Sequence, residues 1–193
     1  MTKPKIIYLA AYKAHHPNHD MDYNDIMKTS EHINVIGDML QVDLEPYDII
    51  IASPPCNYWS RAMSTEERRQ KSKYAMETRH LLIDILKKMS KQDKPFIVEN
   101  VRNAPLFVQY GLYDLPLYVY EYGRHTYWTN IPFNPQGCKT YNNGFHNEKG
   151  GYMRYKGINL QGGQEVHDVI ERWLEVAYDD TQNNNRTGTG GTL

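Results

Sequence analysis

Three short apolar runs constrain this chain more than any other feature: Ile6-Ile7-Tyr8-Leu9, Tyr47-Asp48-Ile49-Ile50-Ile51-Ala52 and Pro95-Phe96-Ile97-Val98. A strand without polar alternation has no solvent face, so it must be covered on both sides, as in the parallel sheets of α/β domains. Between the second and third runs, Thr65 to Ser90 carries helical signals. Thr65 is placed to N-cap, Glu66 and Glu67 follow in the first turn, and Lys87, Lys88 and Lys91 sit near the end, which suits the helix dipole. Leu81, Leu82, Ile83, Ile85, Leu86 and Met89 supply an apolar face. Strand, helix, strand predicts a βαβ crossover, and such sheets bind ligands at the carboxyl ends of their strands.

The weaker segments are read around that frame. Ile33 to Ile36 is a second strand, ended by Gly37-Asp38, and Ala10 to Asp25 reads as a polar loop or short helix. Tyr118 to Tyr122 and Tyr127 to Ile131 read as strands, and Asn134 to Lys156 as irregular loop. Val166 to Ala177 is an amphipathic helix with Val166, Val169, Ile170, Trp173, Leu174 and Ala177 on one face. The length of 193 residues suits one domain, expected over residues 1–178 and followed by a polar, glycine-rich disordered tail over 179–193.

Charge and composition narrow the partners. A net charge of −1 disfavours a broadly basic nucleic-acid binder, although a local patch can serve. Arg68, Arg69, Lys71 and Lys73 read as a solvated helix face rather than such a patch. The 16 tyrosines read mostly as half-buried amphipathic residues, with stacking on bases as the sharper alternative. No apolar run is long enough to cross a bilayer and the N-terminus lacks a secretory signal, so no membrane contact and a cytoplasmic location are expected. The two cysteines, Cys56 and Cys138, are then free thiols. His15, His16 and His19 invite a zinc reading, but no complementary cysteine or carboxylate spacing accompanies them, so a polar loop and no metal are expected.

Two segments carry chemistry. Ser53-Pro54-Pro55-Cys56 puts a thiol in a stiff turn just past a buried strand, where amide groups of a following helix would favour the thiolate. Alone, it reads as a small residue packing a turn. Glu99-Asn100-Val101 puts a carboxylate at the end of the next buried strand, where burial demands a partner or a function, an ion pair with Arg102 being the plain alternative.

Together, PPC and, with its glutamate 43 residues beyond the cysteine, ENV resemble the DNA cytosine-C5 methyltransferases. In that family the PPC cysteine attacks the base and the ENV glutamate holds it, so the resemblance implies these roles for Cys56 and Glu99. Gly123-Arg124-His125-Thr126-Tyr127-Trp128 resembles the family's QxRxR segment, with Arg124 as the first arginine, Tyr122 in place of Gln and Thr126 in place of the second Arg. Gly37-Asp38-Met39 resembles the acidic turn that contacts S-adenosylmethionine. The resemblance thus implies a cofactor site including Asp38, Met39 and Pro55, and a duplex DNA partner with its target cytosine flipped from the stack. RNA is the lesser candidate. The implied fold is α/β, a truncated Rossmann-like methyltransferase sheet with helices on both faces and little or no target-recognition domain.

The departures matter as well. No glycine-rich loop follows the first strand, where Tyr8-Leu9-Ala10-Ala11-Tyr12 stands instead, and Ala11 to Pro17 resembles the helix after that loop in longer members, as though the front of the domain were absent. Only Pro132 to Arg154 stands where a recognition domain belongs, which leaves room for a partner chain. Gly162-Gly163-Gln164-Glu165-Val166 occupies the place of the closing GN-type signature without an assigned role. Two other functions remain open: a catalytically silent member binding nucleic acid or protein, and a thiol-dependent enzyme acting on free pyrimidine nucleotides.

Overall fold

The computed structural model describes residues 3–11, 14–60, 65–102, 104, 115–136 and 158–187. Seven strands form one sheet: β1 (Ile6–Leu9), β2 (Met21–Asp25), β3 (Val35–Ile36), β4 (Ile49–Ala52), β5 (Phe96–Val101), β6 (Tyr118–Tyr122) and β7 (His125–Thr129). Their order is β3-β2-β1-β4-β5-β7-β6. The first five are parallel, and β7 is antiparallel to both β5 and β6. Between β4 and β5 lie three helices, α1 (Glu66–Lys71), α2 (Lys73–Thr78) and α3 (Leu81–Met89), and the described chain ends in α4 (Ile158–Thr187).

The apolar runs behave as their lack of alternation requires. Ile7, Leu9, Ile50, Ala52, Phe96, Val98 and Trp128 point to one side and pack under α3, through Leu82, Ile83, Ile85, Leu86 and Met89. The intervening residues Ile6, Tyr8, Ile49, Ile51, Ile97 and Tyr127 point to the other side and pack under Val169, Ile170, Trp173, Leu174 and Ala177 of α4. Each such side chain removed fully from water contributes roughly 1.5–3 kcal/mol. Helices thus cover both faces of the sheet, as expected.

Several expectations are corrected. The Thr65–Ser90 helix is three pieces. Thr65 does cap α1, accepting from Arg68 N, but Ser72 adopts an extended conformation and caps α2 through Ala75 N, and a break at Arg79 and His80 precedes α3. Residues 21–25, read within a loop or short helix, form β2, so the front of the sheet is present. β2 is polar in sequence, and polar side chains hold it: buried Asn24 donates to the Val35 and Gly37 carbonyls, and Asn34 accepts from Tyr23 N. The final helix extends through Thr187, so residues 179–187 continue the helix rather than begin a tail. Residues 188–193, Cys138 and most of the segment 134–156 lie outside the described residues. No helix among the described residues is long and apolar enough to cross a membrane.

Candidate active site

The thiol sits at the sheet's carboxyl edge, in a loop that neighbouring strands hold down. Ser53 N donates to the Leu9 carbonyl at 3.1 Å, tying the loop to β1. The Ser53 and Tyr8 hydroxyls share a 2.8 Å hydrogen bond. The buried Asn100 amide donates to the Pro54 carbonyl at 2.9 Å, tying the same loop to β5. The chain then turns: Trp59 N and Ser60 N both donate to the Cys56 carbonyl, and Tyr58 and Trp59 are buried behind it. A turn, not a helix, therefore follows Cys56. Its thiol is half-buried, and burial, followed by the charge of Glu99, pushes its pKa up, against a smaller lowering by its own backbone amide. Burial and Glu99 thus favour the thiol, where a helix start would have favoured the thiolate.

Glu99 lies inside β5 rather than after it, because that strand runs on to Val101. It shares a face with Ile97, towards α4, and stands opposite Tyr127 of β7. Two residues along, His125 brings Nε2 to 3.7 Å from Glu99, while its Nδ1 meets Glu165 of α4 at 2.9 Å. Burial opposes charging this imidazole, but Glu99 and the Glu165 hydrogen bond outweigh it and hold the His125 pKa above its ordinary value. Glu165 is itself fully buried and also accepts from Arg124 N. Burial works against its carboxylate too, but His125 and that backbone donor prevail and keep its pKa below the usual range. The result is a carboxylate–imidazole–carboxylate line running from the helix to the carboxyl edge of the sheet.

Arg124 occupies the tight turn between β6 and β7, with its side chain exposed. Its carbonyl accepts from Arg102 N. The imidazole of His125, its neighbour, is the group paired with Glu99. Gly123 precedes it at φ 56°, and a Cβ there would meet the Glu165 carboxylate at 2.1 Å. That position therefore needs glycine twice over, for its backbone and for the helix it faces. Asp38 is exposed in the turn after β3, where its carboxylate accepts from Leu40 N. The Met39 side chain, by contrast, is buried in the core under α3, so its contact with any cofactor is limited to the backbone. Pro55 is half-buried at the rim beside Cys56.

The missing glycine loop also has a structural answer. Ala10, directly after β1, adopts φ 53°, a left-handed conformation that a glycine would take without strain. Ala11 N donates to the Asn24 carbonyl at 2.8 Å, which bends the loop over the end of β2. Asp25 ends β2 at the same edge. Sequence reasoning missed His125, Glu165 and Asp25, whose partners come from other elements. His16 and His19, weighed for zinc and read as polar loop for want of a carboxylate, are buried and half-buried and meet Glu171 of α4 some 150 residues away, a carboxylate that a scan of nearby positions does not find.

No curated protein matches the chain. A solved methyltransferase of Entamoeba histolytica, EhMeth, is similar over 73% of this chain and 57% of that one, at 15% identity and a TM-score of 0.41. The chain thus spans little more than half of that protein's length. The family model for C-5 cytosine-specific DNA methylases matches residues 6–106, over half of the chain and including both Cys56 and Glu99. The sheet carrying the Cys56 loop and Glu99 on adjacent strands, with helices on both faces, is therefore that of a chain belonging to the C-5 cytosine-specific DNA methylase family.

Proposed function

We propose that the chain methylates C5 of cytosine in DNA through a covalent adduct with Cys56, taking the methyl group from S-adenosylmethionine. The observation that carries this reading is the coupling of the two chemical groups. Cys56 and Glu99 belong to adjacent parallel strands, and the Asn100–Pro54 hydrogen bond locks one motif to the other. A thiol held only to pack a turn needs no carboxylate beside it.

S-adenosylmethionine, when bound, supplies an electrophilic methyl group. The residues fit it in part. The left-handed Ala10 gives the loop after β1 the course that a close backbone approach needs, Asp25 and Asp38 stand at the ends of β2 and β3, and Pro55 borders the thiol. A carboxylate at a strand end suits ribose hydroxyls. Cys56 gives up its thiol proton to solvent and adds to C6 of a flipped cytosine, forming the sulfur–carbon bond as the C5–C6 π electrons shift towards C4 and N3 and activate C5. Glu99 accepts from the exocyclic amine and relays to N3 a proton drawn from His125 Nε2 behind it, offsetting the charge that develops there, while Glu165 orients the imidazole. Methyl transfer to C5, loss of the C5 proton to solvent water and cleavage of the sulfur–carbon bond then release product, N3 returning its proton through Glu99 to His125 and the sulfur regaining one from solvent.

The test is transfer of labelled methyl from S-adenosylmethionine to mixed-sequence duplex and single-stranded DNA. Label on cytosine with the wild type and background label with Cys56→Ala is the expected result. Absence of transfer, with no cofactor binding by calorimetry, overturns the reading in favour of a silent binder or of thiol chemistry on free nucleotides. Binding that weakens steeply with salt points to a polynucleotide rather than a nucleotide.

A further inference from the structure

Away from the thiol, the connection between β1 and β2 meets α4 in a cluster of nitrogen and oxygen donors. His16 and His19 come from the connection, and His167 and Glu171 lie one turn apart on the same face of α4. One donor atom from each of His16, His167 and Glu171 lies within 4.8 Å of the other two. His16 Nδ1 meets one Glu171 oxygen, His167 Nε2 is 3.7 Å from that same oxygen, and His19 Nε2 is 2.9 Å from the other. The His16 and His167 rings stack in parallel with centroids 4.4 Å apart.

The outer nitrogens are what distinguish this cluster from an ordinary ion pair. His19 Nδ1 meets the Tyr178 hydroxyl at 2.8 Å, and His167 Nδ1 faces Asp168 at 3.6 Å. The His19 ring therefore has its far nitrogen hydrogen-bonded, the His167 ring has its far nitrogen beside a carboxylate, and both turn the near nitrogen towards Glu171. That is how histidines are held around a metal, where the outer partner fixes the tautomer and the ring direction. We propose that His16, His19, His167 and Glu171 bind one zinc-class divalent transition-metal ion, which clamps the β1–β2 connection to α4.

Imidazoles with one carboxylate suit zinc and its first-row neighbours rather than magnesium or calcium, which prefer all-oxygen shells. Donors about 2.0–2.2 Å from such an ion require only rotamer adjustments from the present spacing. The ion stands in place of the hydrogen bonds that Glu171 now makes to the two histidines. The clamp fits its position: it ties the connection between two parallel strands to the helix that packs over that side of the sheet.

Calorimetric titration of chelator-treated full-length protein with Zn2+ tests this, with Mg2+ as control and the visible absorption of Co2+ as a report on ligand geometry. Uptake of one Zn2+ per chain, a higher Tm and no Mg2+ binding are expected. His167→Ala, a change at a half-exposed position, should weaken uptake at least about tenfold. Glu171→Gln, which keeps the side chain's shape, should do the same. His15→Ala should leave uptake unchanged, because that ring stacks on His32 instead. Circular dichroism checks that each variant is folded. Absence of saturable Zn2+ uptake overturns the proposal, as does uptake equally tight in folded His167→Ala and Glu171→Gln.

Discussion

At the scale of single residues, His125 is the group whose protonation matters most. Its folded pKa is raised, so the stability it contributes is fully present below the ordinary histidine value of about 6.5 and is lost as pH rises through the raised value. His125→Gln should therefore remove the fall in stability between these two values, measured by urea unfolding across pH 6–9. If the imidazole also supplies the proton at N3, the same variant should lower kcat by about 10²-fold or more while cofactor affinity stays level. A fall in KM performance alone would assign His125 to binding instead. Ala10 makes a second residue-scale prediction. An L-residue in the left-handed region costs roughly 1–2 kcal/mol, part of which glycine returns through its greater freedom when unfolded. Ala10→Gly should stabilise the protein by about 0.5–1 kcal/mol, read from chemical denaturation, and a loss of stability would mean that the alanine methyl contributes more packing than its backbone costs.

At the scale of elements, legibility followed apolarity. β1, β4, β5 and α3 could be read directly because the residues that form them are also the residues they bury. β2 could not, because Met21-Asp22-Tyr23-Asn24-Asp25 is held by amide side chains rather than by an apolar face. The candidate site divides in the same way. Cys56 and Glu99 were visible through motifs that each hug one strand, whereas the pairing of His125 with Glu165 spans 40 residues and two elements. The turn after β3 shows the same dependence on a distant partner. Lys88 of α3 donates from one ammonium to the carbonyls of Met39, Leu40 and Val42. Burial pulls its pKa down, while Asp38 and Asp43 oppose the shift. Lys88→Met keeps the aliphatic stem but leaves three carbonyls without their donor, and it should cost about 1–3 kcal/mol. Cofactor affinity should fall with it, because the Asp38 turn loses its anchor. Unchanged binding by calorimetry would remove that turn from the cofactor site.

At the scale of the whole molecule, the sheet works as a shared wall. Alternate residues of the same strands fill two separate cores, one roofed by α3 and the other by α4, so neither core can melt without stripping the sheet that supports its neighbour. The active-site edge inherits that coupling: Cys56 follows β4 over the whole wall, Asn100 on the α3 side holds its loop, and Glu99 on the α4 side reaches Glu165 through His125. Trp173 of α4 and Leu86 of α3 are both fully buried, on opposite sides. Trp173→Ala should cost about 3–5 kcal/mol and Leu86→Ala about 2–5 kcal/mol. Both variants should still unfold in one transition, with near- and far-ultraviolet circular dichroism superimposing, as a single cooperative unit requires. A two-step transition in Trp173→Ala, with the α4 side lost first, would instead make the helix and its core a separable layer. The line from Glu165 to Glu99 would then be switched off by local unfolding while the thiol loop remained in place.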